Sequence, residues 1–327
     1  MNTRTLLFLM TVACCLLTVG CKDSKQNATN ATKAVVAPAF NEDSAYAYVK
    51  AQTDFGPRTL GSTAHQQCCD YLLTKLSAFC DTAYVQAFQT QTYDGKQWTA
   101  HNIIGSINPK AATRVVLTSH WDSRPFADHD PNPANRDKAI DGANDGASGV
   151  GVLLEMARQL QKNNPTIGVD FVFFDAEDYG PREGEERDGD WWGLGSQYWA
   201  KSLKASNYTA KYGILLDMVG TPNAQFYQEQ FSMRDAQPVV AKVWSAAYDL
   251  GFGDYFPNQM GGVITDDHYY VNKYADFKMI DIIHYDAVTG TGFDPVWHTM
   301  NDNIQHIDKT TLGVVGKTLL QVIQNEQ

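Results

Sequence analysis

Residues 171–180 read Phe-Val-Phe-Phe-Asp-Ala-Glu-Asp-Tyr-Gly. The run from Phe171 to Phe174 is apolar on both faces of an extended chain, which suits the middle of a sheet covered on both sides. It stops at three acids, Asp175, Glu177 and Asp178. Unpaired carboxylates at the edge of a core are costly, so a cation, a proton or several hydrogen bonds must offset them. In open α/β sheets, ligands sit at the carboxyl ends of strands. The stretch therefore predicts a working strand end, with Asp178 on a metal and Glu177 moving protons. A solvated strand-to-loop turn is the alternative that these ten residues leave open.

Working outward, the chain alternates strand and helix. Strands are expected at 115–120, 169–175, 213–217 and 278–284, with helices at 147–163, 195–206, 236–250 and 309–325. That order implies a twisted, mostly parallel central sheet with helices on both faces, a single α/β domain over residues 41–327. Helices at 41–52 and 64–79 and strands at 83–93 and 101–107 precede it, the two strands forming an antiparallel edge. The chain has 327 residues, 43% hydrophobic and 19% charged, enough for a sizeable core. Its net charge of -11 argues against nucleic acid and anionic membrane surfaces as partners.

The first residues read as a targeting segment. Arg4 supplies the positive start, residues 6–19 are apolar but short for a membrane span, and Leu17-Thr-Val-Gly-Cys21 follows. Small residues before a cysteine resemble a bacterial lipoprotein signal: 1–20 removed, Cys21 lipidated, and 21–40 a flexible tether. An ordinary secretory signal is the alternative. The implied location is outside the cytoplasm on a bacterial membrane, periplasmic or surface-facing, with contact to lipid only through the anchor. Of the six cysteines, Cys68, Cys69 and Cys80 remain for the domain. One disulfide with a spare thiol is open, and no Cys-x-x-Cys supports metal binding.

Other strand and helix ends carry candidate ligands. His120-Trp-Asp122 ends one strand, and residues two apart point the same way, as a ligand and its orienting carboxylate would. Asp145 stands among glycines in Asp141-Gly-Ala-Asn-Asp-Gly146, just before a helix. Asp217 closes the apolar Ile214-Leu-Leu, and Asp266-Asp-His268 follows Gly261-Gly262. His298 is a further imidazole, with Trp297 beside it as a pocket wall and Asp302 expected to receive its second ring N–H. Each has a structural alternative, such as a helix cap or a buried hydrogen-bonded histidine. Together they put oxygen and imidazole ligands on one rim of the sheet, a donor set that fits a catalytic zinc with an open position.

This order of motifs resembles the zinc aminopeptidase-like superfamily, and within it the animal-type glutaminyl cyclases and their bacterial relatives. The resemblance rests on Phe55-Gly-Pro-Arg58, His120-Trp-Asp122-Ser123, Asn144-Asp145-Gly-Ala, Phe173-Phe-Asp-Ala-Glu177-Asp178, Leu216-Asp217-Met-Val-Gly220, Asp266-Asp-His268 and Val296-Trp297-His298-Thr-Met. It implies one zinc per chain on Asp145, Asp178 and His298, with Glu177 as the proton-transferring acid. It also implies a hydrogen-bonded acid pair, Asp217 and Asp266, and pocket tryptophans at Trp297 and at Trp191 or Trp192. His120, Asp122 and Asp302 would orient these groups or hold a second ion. The implied substrates are peptides or proteins with an N-terminal glutamine, cyclised to pyroglutamate with loss of ammonia. A two-zinc aminopeptidase is the competing reading. The animal enzymes carry Glu-Glu where this chain has Glu177-Asp178, and the loop 181–192 departs from their pattern.

Overall fold

Phe171 and Phe173 are fully buried on one face of the sheet, and Val172 and Phe174 on the other. The computed structural model describes residues 38–185 and 187–327. The signal, Cys21 and most of the tether expected from the sequence lie outside the described residues. The described residues belong to one compact unit.

The helices are α1 (Glu42–Thr53), α2 (Thr63–Phe79), α3 (Ala147–Asn163), α4 (Leu194–Ser206), α5 (Gln230–Asp249), α6 (Asp267–Tyr274) and α7 (Lys309–Asn325). The strands are β1 (Thr82–Gln91), β2 (Gln97–Ile107), β3 (Arg114–His120), β4 (Gly168–Phe174), β5 (Tyr212–Asp217) and β6 (Met279–Ile283). They form one mixed sheet in the order β1-β2-β4-β3-β5-β6. The β1–β2 hairpin joins β4 antiparallel, and β4, β3, β5 and β6 run parallel. The register sets His120 beside Phe174, and Asp217 beside Ile283. The parallel strands thus end on one rim, as their acid and histidine ends required.

Strand alternation sorts the two faces. Leu117, Phe171, Phe173, Ile214, Leu216, Ile280 and Ile282 pack with α1, α2, α3, α5 and α7 in the larger core. Val116, Val172, Phe174, Leu215 and Met279 pack with α4 and α6 in the smaller one. No helix among the described residues is long and apolar enough to cross a membrane.

The structure departs from the sequence reading in three places. Helix α5 begins six residues before the expected 236, because Glu229 caps it through the N–H groups of Phe231 and Ser232. It kinks at Ala236 (φ -142°, ψ 33°), two residues before Pro238, whose ring and missing N–H break regular pairing. Residues 267–274, expected as loop, form α6, started by Asp266 accepting from Asp267 N–H. Cys68, Cys69 and Cys80 are all free, with no disulfide between any two; burial pushes each thiol up to about 12, which leaves them unreactive near neutrality.

Candidate metal centre and active site

The rim encloses a cavity of about 530 Å³. Asp145, Glu177, Asp178, Asp217, Asp266 and His298 all line it, with Trp192 and Trp297 as aromatic walls. Three non-glycine residues with positive φ stand here: Ala176 (56°), Met218 (48°) and His298 (54°). Such backbone is uncommon, and it occurs where chains turn sharply into working sites. At Ala176 the turn carries Glu177 and Asp178 off the end of β4 into the cavity.

Asp145, Asp178 and His298 each offer one ligand atom, all within 4.8 Å of one another and all buried. His298 Nε2 lies 3.2 Å from Asp178 Oδ1 and 3.5 Å from Asp145 Oδ2. Burial, then the charge of Asp145, raises the pKa of Asp178, with His298 and Arg124 opposing. Asp145 is held low despite burial by His120, His298 and Arg124. Gly146 (φ 97°) lets this loop approach His120: a Cβ there would meet Asp122 O at 2.6 Å and the His120 ring at 2.9 Å.

His120 Nε2 sits between Asp145 Oδ1 (3.0 Å) and Asp217 Oδ1 (3.2 Å), a second three-residue cluster sharing Asp145. Burial pulls the pKa of His120 down, but Asp122, Asp145 and Asp217 outweigh it and hold it well above the usual value. Asp122 accepts the N–H groups of Glu177 (3.1 Å) and Asp178 (3.2 Å), tying this strand end to the acid turn.

Glu177 is 8% exposed. Burial drives its pKa well above the usual carboxylate range, with Asp178, Asp266 and Asp267 adding to it and His120 opposing. Asp217 is pushed to about 7, chiefly by burial. Asp217 Oδ1 lies 3.2 Å from His120 Nε2, Asp266 Oδ1 takes the Asp267 N–H at 2.5 Å, and the charge of Asp266 adds to the rise at Asp217.

Asp302 does not receive the second ring N–H of His298. It accepts the N–H groups of Asn144 (2.7 Å) and Asp145 (3.1 Å) and so shapes the ligand loop. The group facing His298 Nδ1 is Asp128 Oδ1, at 3.4 Å. Asp128 is in turn gripped by Arg124 at 2.7 and 3.0 Å, and Arg124 reaches Asp178 Oδ1 at 3.3 Å. Sequence reasoning missed Arg124 and Asp128, which lie past the strand end in Arg124-Pro-Phe-Ala-Asp128. Their four-residue spacing after His120-Trp-Asp122 was the available signal.

Of the two adjacent tryptophans, Trp192 lines the cavity and stacks parallel to His298 (6.5 Å). Gly180 admits it, since a Cβ there would lie 1.9 Å from the indole. Trp191 does not line the cavity, and its Nε1 donates to Asp188 O at 2.9 Å. Trp297 stacks on His298 with ring centres 3.7 Å apart.

The turn bearing Trp297 and His298 is clamped from behind. Asp294 Oδ1 accepts Val296 N–H, Thr221 donates to Asp294 Oδ2, and His306 Nε2 lies 3.0 Å from the same oxygen. Burial opposes ionisation of Asp294, but His306, Thr221 and Val296 outweigh it and hold it at about 2. His306 is raised, mainly by Asp294. A depressed acid contributes stability above its unfolded pKa of about 4, and that contribution is lost as pH falls toward about 2. A raised histidine contributes below about pH 6.5, and that contribution is lost as pH rises through its folded value. The clamp is therefore strongest from about pH 4 to 6.5. Asp294→Asn is expected to lower the melting temperature by roughly 2–5 °C near pH 6 and to flatten the fall in stability below about pH 4. Melting curves against pH check both effects.

The chain is similar over most of its length to proteins already known. Bovine glutaminyl-peptide cyclotransferase (Bos taurus) is 27% identical over 270 residues, covering 72% of this chain and 68% of the bovine protein. The crystal structure of Tannerella forsythia glutaminyl cyclase superposes with a TM-score of 0.87 at 52% identity, covering 89% of this chain and 100% of that one. A Zn-dependent exopeptidase from Parabacteroides distasonis gives the same TM-score, identity and coverage. Residues 102–323 match the profile described as Peptidase family M28. That match takes in β3 through β6 and every residue of the site just described, and on it this chain belongs to peptidase family M28.

Proposed function

We propose that this chain is a glutaminyl-peptide cyclotransferase that closes an N-terminal glutamine of peptides or proteins to pyroglutamate and releases ammonia. The observation that carries the reading is the gathering of Asp145, Asp178 and His298, with Glu177 alongside, on the floor of one tryptophan-walled cavity. The names of the bovine relative and the Tannerella neighbour support it.

The residues fit one zinc ion. Two buried carboxylates converge with an imidazole, a set that repels itself unless a cation sits among it. Asp178 Oδ2 is buried without a hydrogen-bond partner, as a ligand atom awaiting an ion would be. Asp145, Asp178 and His298 would hold the metal, and Asp128 would orient His298 through Nδ1. When bound, zinc supplies Lewis-acid polarisation of the γ-carbonyl oxygen.

The reaction forms a bond from the α-nitrogen to the γ-carboxamide carbon and breaks the bond from that carbon to its nitrogen. Both ends lie in one residue, so the enzyme mainly orients and moves protons. Glu177, ionised when substrate enters, takes a proton from the attacking amine and returns it to the departing ammonia. A carboxylate that burial makes a stronger proton acceptor than an ordinary one suits both halves of that transfer. Asp217 and Asp266 accept N–H groups of the amine and the leaving nitrogen. Trp192 and Trp297 sandwich the aliphatic stem and exclude water.

A second reading has its own observation. His120, Asp145 and Asp217 form another buried cluster through the shared Asp145, the layout of a two-metal aminopeptidase. The deciding experiment incubates the protein with a Gln-initiated dipeptide and measures products. Ammonia with pyroglutamyl peptide is expected; free glutamine without ammonia would overturn the cyclase reading. Residues 1–21 support export and lipid anchoring at Cys21, which metabolic lipid labelling of wild type against Cys21→Ala would test.

A further inference from the structure

One set of metal-binding side chains lies apart from the substrate cavity. His65 from α2, His101 from β2 and Asp175, the residue after β4, each bring one ligand atom within 4.8 Å of the others. His65 and Asp175 are buried, and His101 is half-buried. His65 Nε2 faces both oxygens of Asp175, at 2.9 and 3.0 Å. Trp121 fixes both histidines: its ring stacks on His65 with centres 4.5 Å apart, and its Nε1 donates to His101 O at 3.1 Å. None of the three lines the substrate cavity, so the set stands whichever reaction that cavity performs.

A His–Asp hydrogen bond would account for two of the three residues. The third does not fit that account, because His101 Nδ1 is buried with no hydrogen-bond partner among the described residues. Burial, against the pull of Asp175, lowers the pKa of His101, so the ring is neutral near pH 7 with a lone pair to offer. Asp175 is held in place by the N–H groups of His101 (2.6 Å) and Ala176 (2.8 Å). Two donors on one tetrahedral zinc stand about 3.3 Å apart, given bonds of about 2.0–2.2 Å. The His65–Asp175 separation is a few tenths of an ångström short of that, a gap that a small side-chain movement closes.

We propose that His65, His101 and Asp175 form a separate, labile site for a divalent first-row transition ion, zinc above all, which takes the place of the hydrogen shared by His65 and Asp175. Two imidazole nitrogens and one carboxylate oxygen select this class over magnesium or calcium, which prefer oxygen shells. Binding breaks the His65 Nε2–H bond and joins the ion to Nε2, to a ring nitrogen of His101 and to an Asp175 oxygen. The displaced proton goes to solvent from a charged ring, or to Nδ1 of a neutral one. A fourth position is left for water. The ion competes with an existing hydrogen bond, so it is held more weakly than the ion of the catalytic centre and is lost on dialysis. In place, it ties α2 and β2 to the residue that precedes the acid turn, whose Ala176 N–H Asp175 accepts.

The test titrates zinc chloride into the dialysed full chain by calorimetry, with His65→Gln and His101→Ala alongside. Glutamine keeps an N–H donor for Asp175 but has no ring nitrogen to offer a metal. His101 is half-buried, so its truncation spares the core. Wild type is expected to take up one further ion per chain. Each variant is expected to bind that ion at least about 10-fold more weakly, since even the loss of a group that only orients a ligand costs that much. Nitrogen NMR of the imidazoles gives a readout on wild type alone, independent of how the variants fold: the ring signals of His65 and His101 are expected to move together as zinc is added. No further ion in wild type, or ring signals that stay put, overturns the proposal. A further ion that either variant binds as tightly as wild type lies elsewhere, and that result overturns it too.

Discussion

Glu177→Gln is expected to lower kcat by about 10²- to 10⁴-fold while bound zinc and the melting temperature stay near wild type. The replacement keeps size and shape and removes the carboxylate that accepts and returns the proton. Glu177 stands outside the cluster of Asp145, Asp178 and His298, so the metal content should not follow the activity. Its backbone N–H donates to Asp122 whatever the side chain, so the turn at Ala176 should survive. Its carboxyl is buried beside Asp178 and Asp266, where a neutral amide costs no more than the acid it replaces. KM should move little, because the proton transfer is made in the transition state rather than on binding. A variant with wild-type kcat would remove Glu177 from its role, and one that loses zinc along with activity would make it structural.

His298→Ala is expected to lose zinc and activity together, with turnover down at least about 10²-fold. It removes the single imidazole from the three-residue set, leaving two buried carboxylates that repel each other. Wild type should hold one zinc per chain after dialysis, and the variant only a trace. A chelator should silence wild type, and added zinc should restore it. Asp128→Ala serves as the graded companion: it keeps every ligand but frees His298 Nδ1, and is expected to weaken zinc about 10- to 100-fold. Two stoichiometric zincs in wild type, with free N-terminal amino acid as product, would move the assignment to the aminopeptidase.

Much of the fold was legible because its strands are locally consistent. Phe171 to Phe174 and Ile214 to Leu216 are apolar runs that only a sheet covered on both faces can satisfy, and both end in acids. A parallel sheet brings all such ends to one rim, so linear order placed Asp145, Asp178, Asp217 and His298 near one cavity. What escaped were pairings between distant segments. The partner of His298 Nδ1 is Asp128, 170 residues earlier, and nothing in the local pattern separates it from the nearer Asp302. Trp191 and Trp192 are identical in type, and only the gap at Gly180 decides which enters. Helix α6 was hidden because its eight residues have weak intrinsic preference and depend on Asp266 to start them.

The sequence by itself determined the layered α/β architecture and the chemistry of the donor set, because both follow from residue type and spacing along a single chain. The tertiary structure alone decided which oxygen or nitrogen each donor faces, and which of the buried acids share one dry space. Those are matters of a few ångströms between segments far apart in the chain, where burial and the nearest charge set protonation, and no local pattern encodes them.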